Sequence, residues 1–196
     1  MKLKYQEVQG NLFSASSTIS LAHCVSTDMN MSKGIATQFR NQFGRIDDLK
    51  RQNIGVGGCA YIYVENRHVF YLITKQRYFH KPTLKTLEAS LISMRDLCIQ
   101  NNINQLAMPC IGCGLDKLQW SQVKELIQSI FGQVDIEITI YVKNGPPAAA
   151  PSRKRRGIAA TRDHKGRNEA TPELEPYVKR SRRGRDQSTA RPNNKT

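Results

Sequence analysis

Met108-Pro109-Cys110-Ile111-Gly112-Cys113-Gly114-Leu115-Asp116 stands between the apolar run Ile103 to Met108 and a helix-period pattern that begins near Leu118. An apolar run, a glycine-rich turn and an amphipathic stretch, in that order, describe a strand, a loop and a helix. Glycine at the carboxyl end of a strand lets the backbone turn sharply and aim its N–H groups at an anion. The N-terminus of the following helix would add its dipole at the same spot. Asp116 does not belong in a pure phosphate cradle, because it repels phosphate. It is expected to act on another part of the ligand, which makes a nucleotide-like ligand with chemistry nearby the first reading of the loop.

The same alternation extends in both directions. Leu3 to Val8 reads as a half-buried strand ended by Gly10-Asn11-Leu12, and Ile19 to Val25 as a buried one. After the loop Ser26 to Lys33, Gly34-Ile35-Ala36 opens a helix to about Phe43. Ile35, Phe39 and Phe43 share one face of it, and Gly44 stops it. Asp47 to Gln52 forms a helical turn, broken by Gly55-Val56-Gly57-Gly58. Cys59 to Val64 and His68 to Thr74 make a hairpin across Glu65-Asn66-Arg67. Pro82-Thr83 starts a long helix carrying Leu84, Leu87, Leu91, Met94 and Cys98, with Pro82 suited to the first turn. Leu118 to Phe131 is a further helix and Ile136 to Val142 a last strand. Five or six strands alternating with helices, with one hairpin, imply an α/β layer fold around a mixed sheet.

Charge divides the chain of 196 residues into two parts. Residues 1–142 hold 15 Lys and Arg against 11 Asp and Glu, a net of +4, whereas residues 143–196 hold 15 against 5, a net of +10. Beyond Val142, Gly145-Pro146-Pro147-Ala148-Ala149-Ala150-Pro151 is linker-like, and no apolar periodicity follows. Such a segment cannot bury enough apolar area to offset its ordering entropy, so disorder is expected for 144–196, with a domain at 1–143. The clusters Arg153 to Arg156 and Lys179 to Arg185 suit nuclear import. Tyr177 is the only aromatic among them, so base stacking by the tail is not expected and any nucleic-acid contact there is weak. Nuclear localisation, with a cytoplasmic share, follows.

Five cysteines and a start, Met1-Lys2-Leu3-Lys4, that leads straight into a strand pattern argue for a reducing compartment. No apolar run reaches the ~18 residues of a membrane span, so no membrane partner is expected. Cys110-x-x-Cys113 could be half of a zinc site, but His80 and Cys98 stand alone and His23 sits in an apolar run. No metal and no cofactor are expected.

Six segments carry a family resemblance: Gly10-Asn11-Leu12-Phe13; Leu21-Ala22-His23-Cys24-Val25-Ser26; Gly34-Ile35-Ala36; Tyr71-Leu72-Ile73-Thr74-Lys75; His80-Lys81-Pro82-Thr83; and Met108 to Asp116 followed by Leu118-Gln119-Trp120. In this order and spacing they resemble the macro domain, in its branch of terminal ADP-ribose protein glycohydrolases and O-acetyl-ADP-ribose deacetylases, over residues 3 to 142. The resemblance implies a three-layer α/β/α domain with a mixed central sheet and ADP-ribose in a cleft at the sheet's edge. It also implies that Lys75 attacks the anomeric carbon of the distal ribose while Asp116 manages protons. An attacking amine must be neutral, an environment that the apolar run Phe70 to Thr74 could provide. Taken without the resemblance, Lys75 reads as a solvated strand-end lysine. Lys81 is a rival nucleophile by proximity, but its place before Pro82 suggests an exposed role.

The binding residues that the resemblance implies follow the same motifs. Asn11 and Leu12 would meet the adenine end, with Val142 flanking the same pocket. Ser26 would lie near the ligand, and Gly34 in the first phosphate-contacting loop. Cys110, Ile111, Gly112, Cys113, Gly114 and Leu115 would wrap the diphosphate and distal ribose, mainly through backbone N–H groups, so that side-chain identity matters little at Ile111 or Cys113. For the apolar positions, ordinary packing competes evenly with ligand contact. Three positions depart from the family pattern: Asn11 stands where an aspartate is typical, Cys110 where an arginine is common, and Ser32-Lys33 where smaller residues precede Gly34. Asparagine can donate as well as accept, which weakens its preference for the adenine amine.

Two functions compete at this stage. One is a hydrolase that removes ADP-ribose from acidic side chains, and deacylates O-acyl-ADP-ribose, through a lysyl intermediate. The other is an ADP-ribose reader without turnover, tethered to chromatin or nucleic acid by its basic tail. The pairing of Lys75 with Asp116 favours the hydrolase. The expected partners are ADP-ribose and ADP-ribosylated proteins, met by a monomer.

Overall fold

The structure, a computed structural model, describes residues 2–143. The expected tail, 144–196, with its basic clusters, lies outside the described residues. Six strands form one sheet: β1 (Lys4–Gln9), β2 (Ser20–Ser26), β3 (Cys59–Val64), β4 (Arg67–Lys75), β5 (Gln105–Pro109) and β6 (Glu137–Val142). Their order is β1-β6-β5-β2-β4-β3, and every neighbouring pair is parallel except β3 with β4. The five parallel strands therefore all end at one edge of the sheet.

Alternation along the strands feeds two separate cores. On one face, Ala22, Phe70, Leu72, Leu106, Met108 and Ile138 pack beneath α3 (Leu84–Gln100) and α4 (Trp120–Phe131). Leu87, Leu91 and Met94 from α3, and Val123, Ile127 and Phe131 from α4, complete that layer. On the other face, Leu21, Val25, Val69, Tyr71 and Ile73 meet Phe39 and Phe43 of α1 (Ile35–Phe43) and Leu49 of α2 (Ile46–Arg51). Burial of each large side chain such as Phe39 or Phe131 contributes roughly 1.5–3 kcal/mol. His23 is wholly buried here, stacked on Phe39 at 3.9 Å and edge-on to Tyr71 at 4.9 Å. The chain is thus a three-layer α/β/α domain with a mixed sheet.

Several local expectations need correction. The β3–β4 turn is only Glu65-Asn66, both with left-handed backbone (φ 52° and 62°), and Arg67 already pairs with Val64 in the ladder. Pro82 is not in the first turn of α3. Thr83 caps that helix, accepting from the Thr86 N–H at 3.1 Å while its own N–H donates to Thr86 Oγ1 at 3.0 Å. Helix α4 starts at Trp120, four residues beyond Asp116, and its Lys124 Nζ pairs with Glu7 of β1 at 3.0 Å. At the open edge of the sheet, the Gln52 amide pairs with both Tyr61 N–H and Tyr61 C=O in place of another strand.

Candidate active site

The carboxyl ends of the five parallel strands bring most of the predicted residues to one rim. In spatial order they are Asn11 and Leu12 after β1, Val142 at the end of β6, the loop Cys110 to Asp116 after β5, Ser26 at the end of β2 and Lys75 at the end of β4. At about 4.8 Å per strand the row spans about 19 Å, room for an elongated ligand laid across the sheet. In open parallel sheets, ligands sit in this crevice where neighbouring crossovers diverge. Here the chain leaves β2 towards β4 and returns through α3 to β5 on the other side of β2.

One ion pair stands at this rim. Lys75 Nζ lies 2.5 Å from Asp116 Oδ1, and each side chain is only 13% exposed. Residues 41 positions apart meet because β4 and the loop after β5 flank β2. Cys24 on β2 lies within electrostatic reach of both. Burial first, and the Asp116 carboxylate second, push its thiol up to about 12, so Cys24 stays a neutral thiol beside the pair. Burial likewise raises Cys113 to about 11.

Two backbone segments face each other next to this pair. Gly112 adopts φ 73°, and a Cβ there would fall 2.8 Å from Leu118 Cδ1, so only glycine fits. Leu118 N–H closes the loop onto Gly112 C=O at 2.9 Å. Among the described residues, the N–H groups of Gly114, Leu115 and Asp116 have no protein acceptor. Gly34 (φ 62°) caps α1 without any side-chain hydrogen bond; Thr37 N–H turns back to Gly34 C=O at 3.3 Å, and the N–H groups of Ile35 and Ala36 lie ahead of the intrahelical ladder. The exposed Leu115 spans the gap, its Cδ1 being 3.6 Å from where a Gly34 Cβ would stand. The N-terminus of α1 can thus add its dipole beside this loop.

The other expected contacts divide by burial. Leu12 is 3% and Ile111 2% exposed, so both side chains belong to the cores. The expectation that side-chain identity at Ile111 matters little is corrected: that side chain anchors the loop under α3 and α4. Cys110 and Cys113 are half-buried free thiols, and Cys113 Sγ donates to Ile111 C=O at 3.3 Å. Val142 is half-buried, its carbonyl accepting from Gly10 N–H at 3.1 Å. Asn11 is exposed, but its Oδ1 accepts from Phe13 N–H at 3.1 Å and caps the 3-10 turn Leu12–Ser14. Lys81 is exposed, and its Nζ donates to the Leu115 carbonyl, so it steadies the loop.

Asp28 was not singled out from sequence. Its Oδ1 accepts from Ser26 Oγ at 2.5 Å and Asn30 N–H at 3.2 Å, and its Oδ2 from Tyr78 N–H at 3.1 Å. Burial raises its pKa, but these hydrogen bonds and the Arg77 charge outweigh it and hold the carboxyl below its usual range. Asp28 thus ties the loop after β2 to the loop after β4. The Asp28-x-Asn30 turn was the legible signal, while the partner at Tyr78 was not.

Comparison with known proteins agrees with this geometry. The family model of the macro domain matches residues 22–127. The ADP-ribose glycohydrolase OARD1 of Homo sapiens is 45% identical over 134 residues, 68% of this chain and 88% of the relative. The macrodomain of Thermus aquaticus DarG superposes with a TM-score of 0.64 at 23% identity, over 71% of this chain and 98% of that one. Thermosipho africanus DarTG, solved in complex with ADP-ribose, gives 0.63 at 22% identity, over 80% and 45%. A chain with this sheet order, this glycine loop and a relative of such identity belongs to the macro domain family.

Proposed function

We propose that this chain is an ADP-ribose-binding hydrolase that releases ADP-ribose from acidic side chains and from acyl groups through a lysyl intermediate. The observation that carries the reading is the Lys75–Asp116 pair at 2.5 Å, set at the end of the row of strand termini. Its 45% identity to an ADP-ribose glycohydrolase supports the same class.

The row orders the ligand. The adenine end lies by Asn11 and Val142, the diphosphate against the N–H groups of the Gly112–Asp116 loop and of α1, and the distal ribose at Lys75. An ammonium is no nucleophile, so Lys75 first passes a proton to Asp116 along their short contact. The neutral amine then forms a bond to the anomeric carbon, and the bond from that carbon to the acceptor oxygen breaks. The acceptor leaves as a carboxylate with the electron pair. Asp116 releases its proton to bulk solvent and, as a carboxylate, takes one from water. The hydroxyl displaces Lys75 from the anomeric carbon as a neutral amine, and the proton on Asp116 returns to it, restoring the ion pair. An acyl group on the same ribose oxygen presents the same bond. Alignment of amine and substrate in one cleft supplies most of the advantage over free reactants.

Around this domain, the basic clusters 153–156 and 179–185 act as nuclear-import signals with weak nucleic-acid affinity, and the protein works as a monomer. The deciding experiment is hydrolysis of a mono-ADP-ribosylated protein by the full chain, followed by release of free ADP-ribose. Tight binding of ADP-ribose with no release would make the chain a reader and overturn the proposal.

A further inference from the structure

The stretch between β4 and α3, Gln76-Arg77-Tyr78-Phe79-His80-Lys81, is tied to two neighbouring loops. In its middle, Tyr78 N–H donates to Asp28 Oδ2 at 3.1 Å, in the loop after β2. At its end, Lys81 Nζ donates to the Leu115 carbonyl, in the loop after β5. Lys75 stands immediately before this stretch and Asp116 immediately after Leu115, so each half of the ion pair lies beside one of the ties.

The tie at Asp28 has a fixed base. Thr27 N–H and Thr27 Oγ1 both donate to Lys75 C=O, at 2.9 and 3.4 Å. Asn30 C=O accepts from Arg40 Nη1 at 3.1 Å and Met31 C=O from Thr37 Oγ1 at 3.3 Å, both on α1. On that base the Asp28 carboxylate accepts from Ser26, Asn30 and Tyr78 together. Within the stretch, His80 N–H closes a turn onto Arg77 C=O at 3.0 Å, so a shift at Tyr78 passes on to Lys81 rather than being absorbed. The tie at Leu115 has less support. Among the described residues, the N–H groups of Gly114, Leu115 and Asp116 have no protein acceptor, and no backbone N–H reaches the Leu115 carbonyl. Lys81 is the partner of that carbonyl, and it pairs with no carboxylate among the described residues. Ordering an exposed lysine forgoes up to about 2 kcal/mol of rotamer freedom, which a charge-assisted hydrogen bond of about 1.5–3 kcal/mol offsets.

We propose that Asp28 and Lys81 are positioning residues for hydrolysis, which act through this one loop to hold Lys75 and Asp116 in contact. This rests on the reading of Lys75 and Asp116 as the hydrolytic pair. Both residues spend their charged atoms on neighbouring loops rather than on the reacting bond. Their effect is on alignment: a proton passes from Lys75 to Asp116 only across a short contact, and a misplacement of about 1 Å costs about 10²-fold in rate. Binding depends on the contact far less. The turn at Gly112 stays closed by Leu118 N–H, and the first-turn N–H groups of α1 lie outside the loop. Loss of either tie therefore falls on kcat rather than on affinity for ADP-ribose.

The test uses Asp28→Asn, Lys81→Met, their combination and Lys81→Arg, each in the full chain, on a glutamate-linked ADP-ribosyl peptide. Asparagine keeps the size of Asp28 but offers one acceptor oxygen instead of two and turns an amide donor towards N–H groups. Methionine keeps the length of Lys81 without a donor. In each single variant kcat is expected to fall about tenfold or more, while the Kd for free ADP-ribose stays within about twofold by calorimetry. Lys81→Arg should retain most of kcat, because arginine still donates to the Leu115 carbonyl yet cannot serve as a nucleophile. The combined variant should lose about as much as the more impaired single one, since both substitutions cut the same connection. Unchanged kcat in either single variant, a loss of affinity equal to the loss of kcat, an Lys81→Arg as impaired as Lys81→Met, or losses that multiply in the combination overturns the proposal. If the unmodified chain releases no ADP-ribose, the hydrolase reading fails by itself. Crystal structures of the two single variants then decide the positioning: a lengthened or broken contact between Lys75 Nζ and Asp116 Oδ1 supports it, and a contact kept at 2.5 Å overturns it.

Discussion

Ser26 and Lys75 sit opposite each other across β2 and β4 because the ladder slips by one residue between Val25 and Ser26. Val25 pairs with Ile73, but Ser26 pairs with Lys75, so Thr74 is the extra residue of a bulge. An unbroken register would place Thr74 there and turn Lys75 to the other face of the sheet. Thr27 N–H secures the shifted end by donating to Lys75 C=O at 2.9 Å. The bulge therefore falls at the strand end that carries the lysine paired with Asp116.

Removing either member of that pair separates catalysis from binding. Lys75→Ala removes the proposed nucleophile and should abolish release from a glutamate-linked substrate, and Asp116→Ala should slow it by about 10²–10⁴-fold, the usual contribution of a positioned acid or base. Binding of free ADP-ribose, measured by calorimetry, should largely persist in both. Turnover like that of the unmodified chain in either variant would sink the mechanism.

Gly112→Ala tests the loop. The left-handed backbone at φ 73° disfavours a Cβ by about 1–2 kcal/mol, and that Cβ would also press on Leu118. The loop must move, so affinity for ADP-ribose should drop at least several-fold while the thermal midpoint falls by only a few degrees. Unchanged affinity would show that the diphosphate does not use this loop.

Asn11→Asp addresses the adenine end. A carboxylate can still accept from Phe13 N–H and preserve the cap. It accepts more strongly than an amide from an adenine amine, so the Kd for ADP-ribose should improve about twofold to tenfold. Equal affinities by calorimetry would place the adenine amine elsewhere.

His23 makes stability depend on pH. Burial lowers its pKa to about 3 in the fold despite a backbone contact with Cys24, whereas an exposed histidine titrates near 6.5. Below that value the unfolded chain gains a proton that the folded chain refuses. Stability should therefore be full above pH 6.5 and decline as pH falls towards 3, by about 2 kcal/mol between pH 7 and pH 5. The partly buried His68 shifts the same way and adds to the effect. In guanidinium titrations at both pH values, His23→Leu should show a distinctly shallower dependence. If its slope matched the parent's, the burial of His23 would not be the source.

Truncation at residue 143 tests the basic clusters. Hydrolysis by residues 1–143 should match that of the full chain, while nuclear accumulation of a fluorescent fusion should weaken. Identical distribution of the two fusions would refute the import reading.

Much of this architecture was legible because burial imposes periodicity on sequence. The alternation in β2 and β4 and the spacing of Leu87, Leu91 and Met94 mark elements that lie against two cores. Errors arose where a single residue's conformation decides a boundary. Left-handed backbone at Glu65 and Asn66 shortened the hairpin turn, and the Thr83–Thr86 capping box displaced Pro82 from α3. Asp28 stayed hidden because its role lies in a contact with Tyr78, 50 positions away.

Legible in the chain alone were the family resemblance, the order of strands and helices, the glycine loop and the two residue types, amine and carboxylate, of the proposed chemistry. These are properties of local pattern and composition, which burial and backbone sterics write directly into the chain. That Lys75 meets Asp116, that Gly34 at the head of α1 stands beside Leu115 of the glycine loop, and that Tyr78 and Phe79 stand exposed emerged only from the folded chain. Such relationships depend on strand order, a one-residue slip in register and the packing of distant loops, none of which leaves a periodic trace in the sequence.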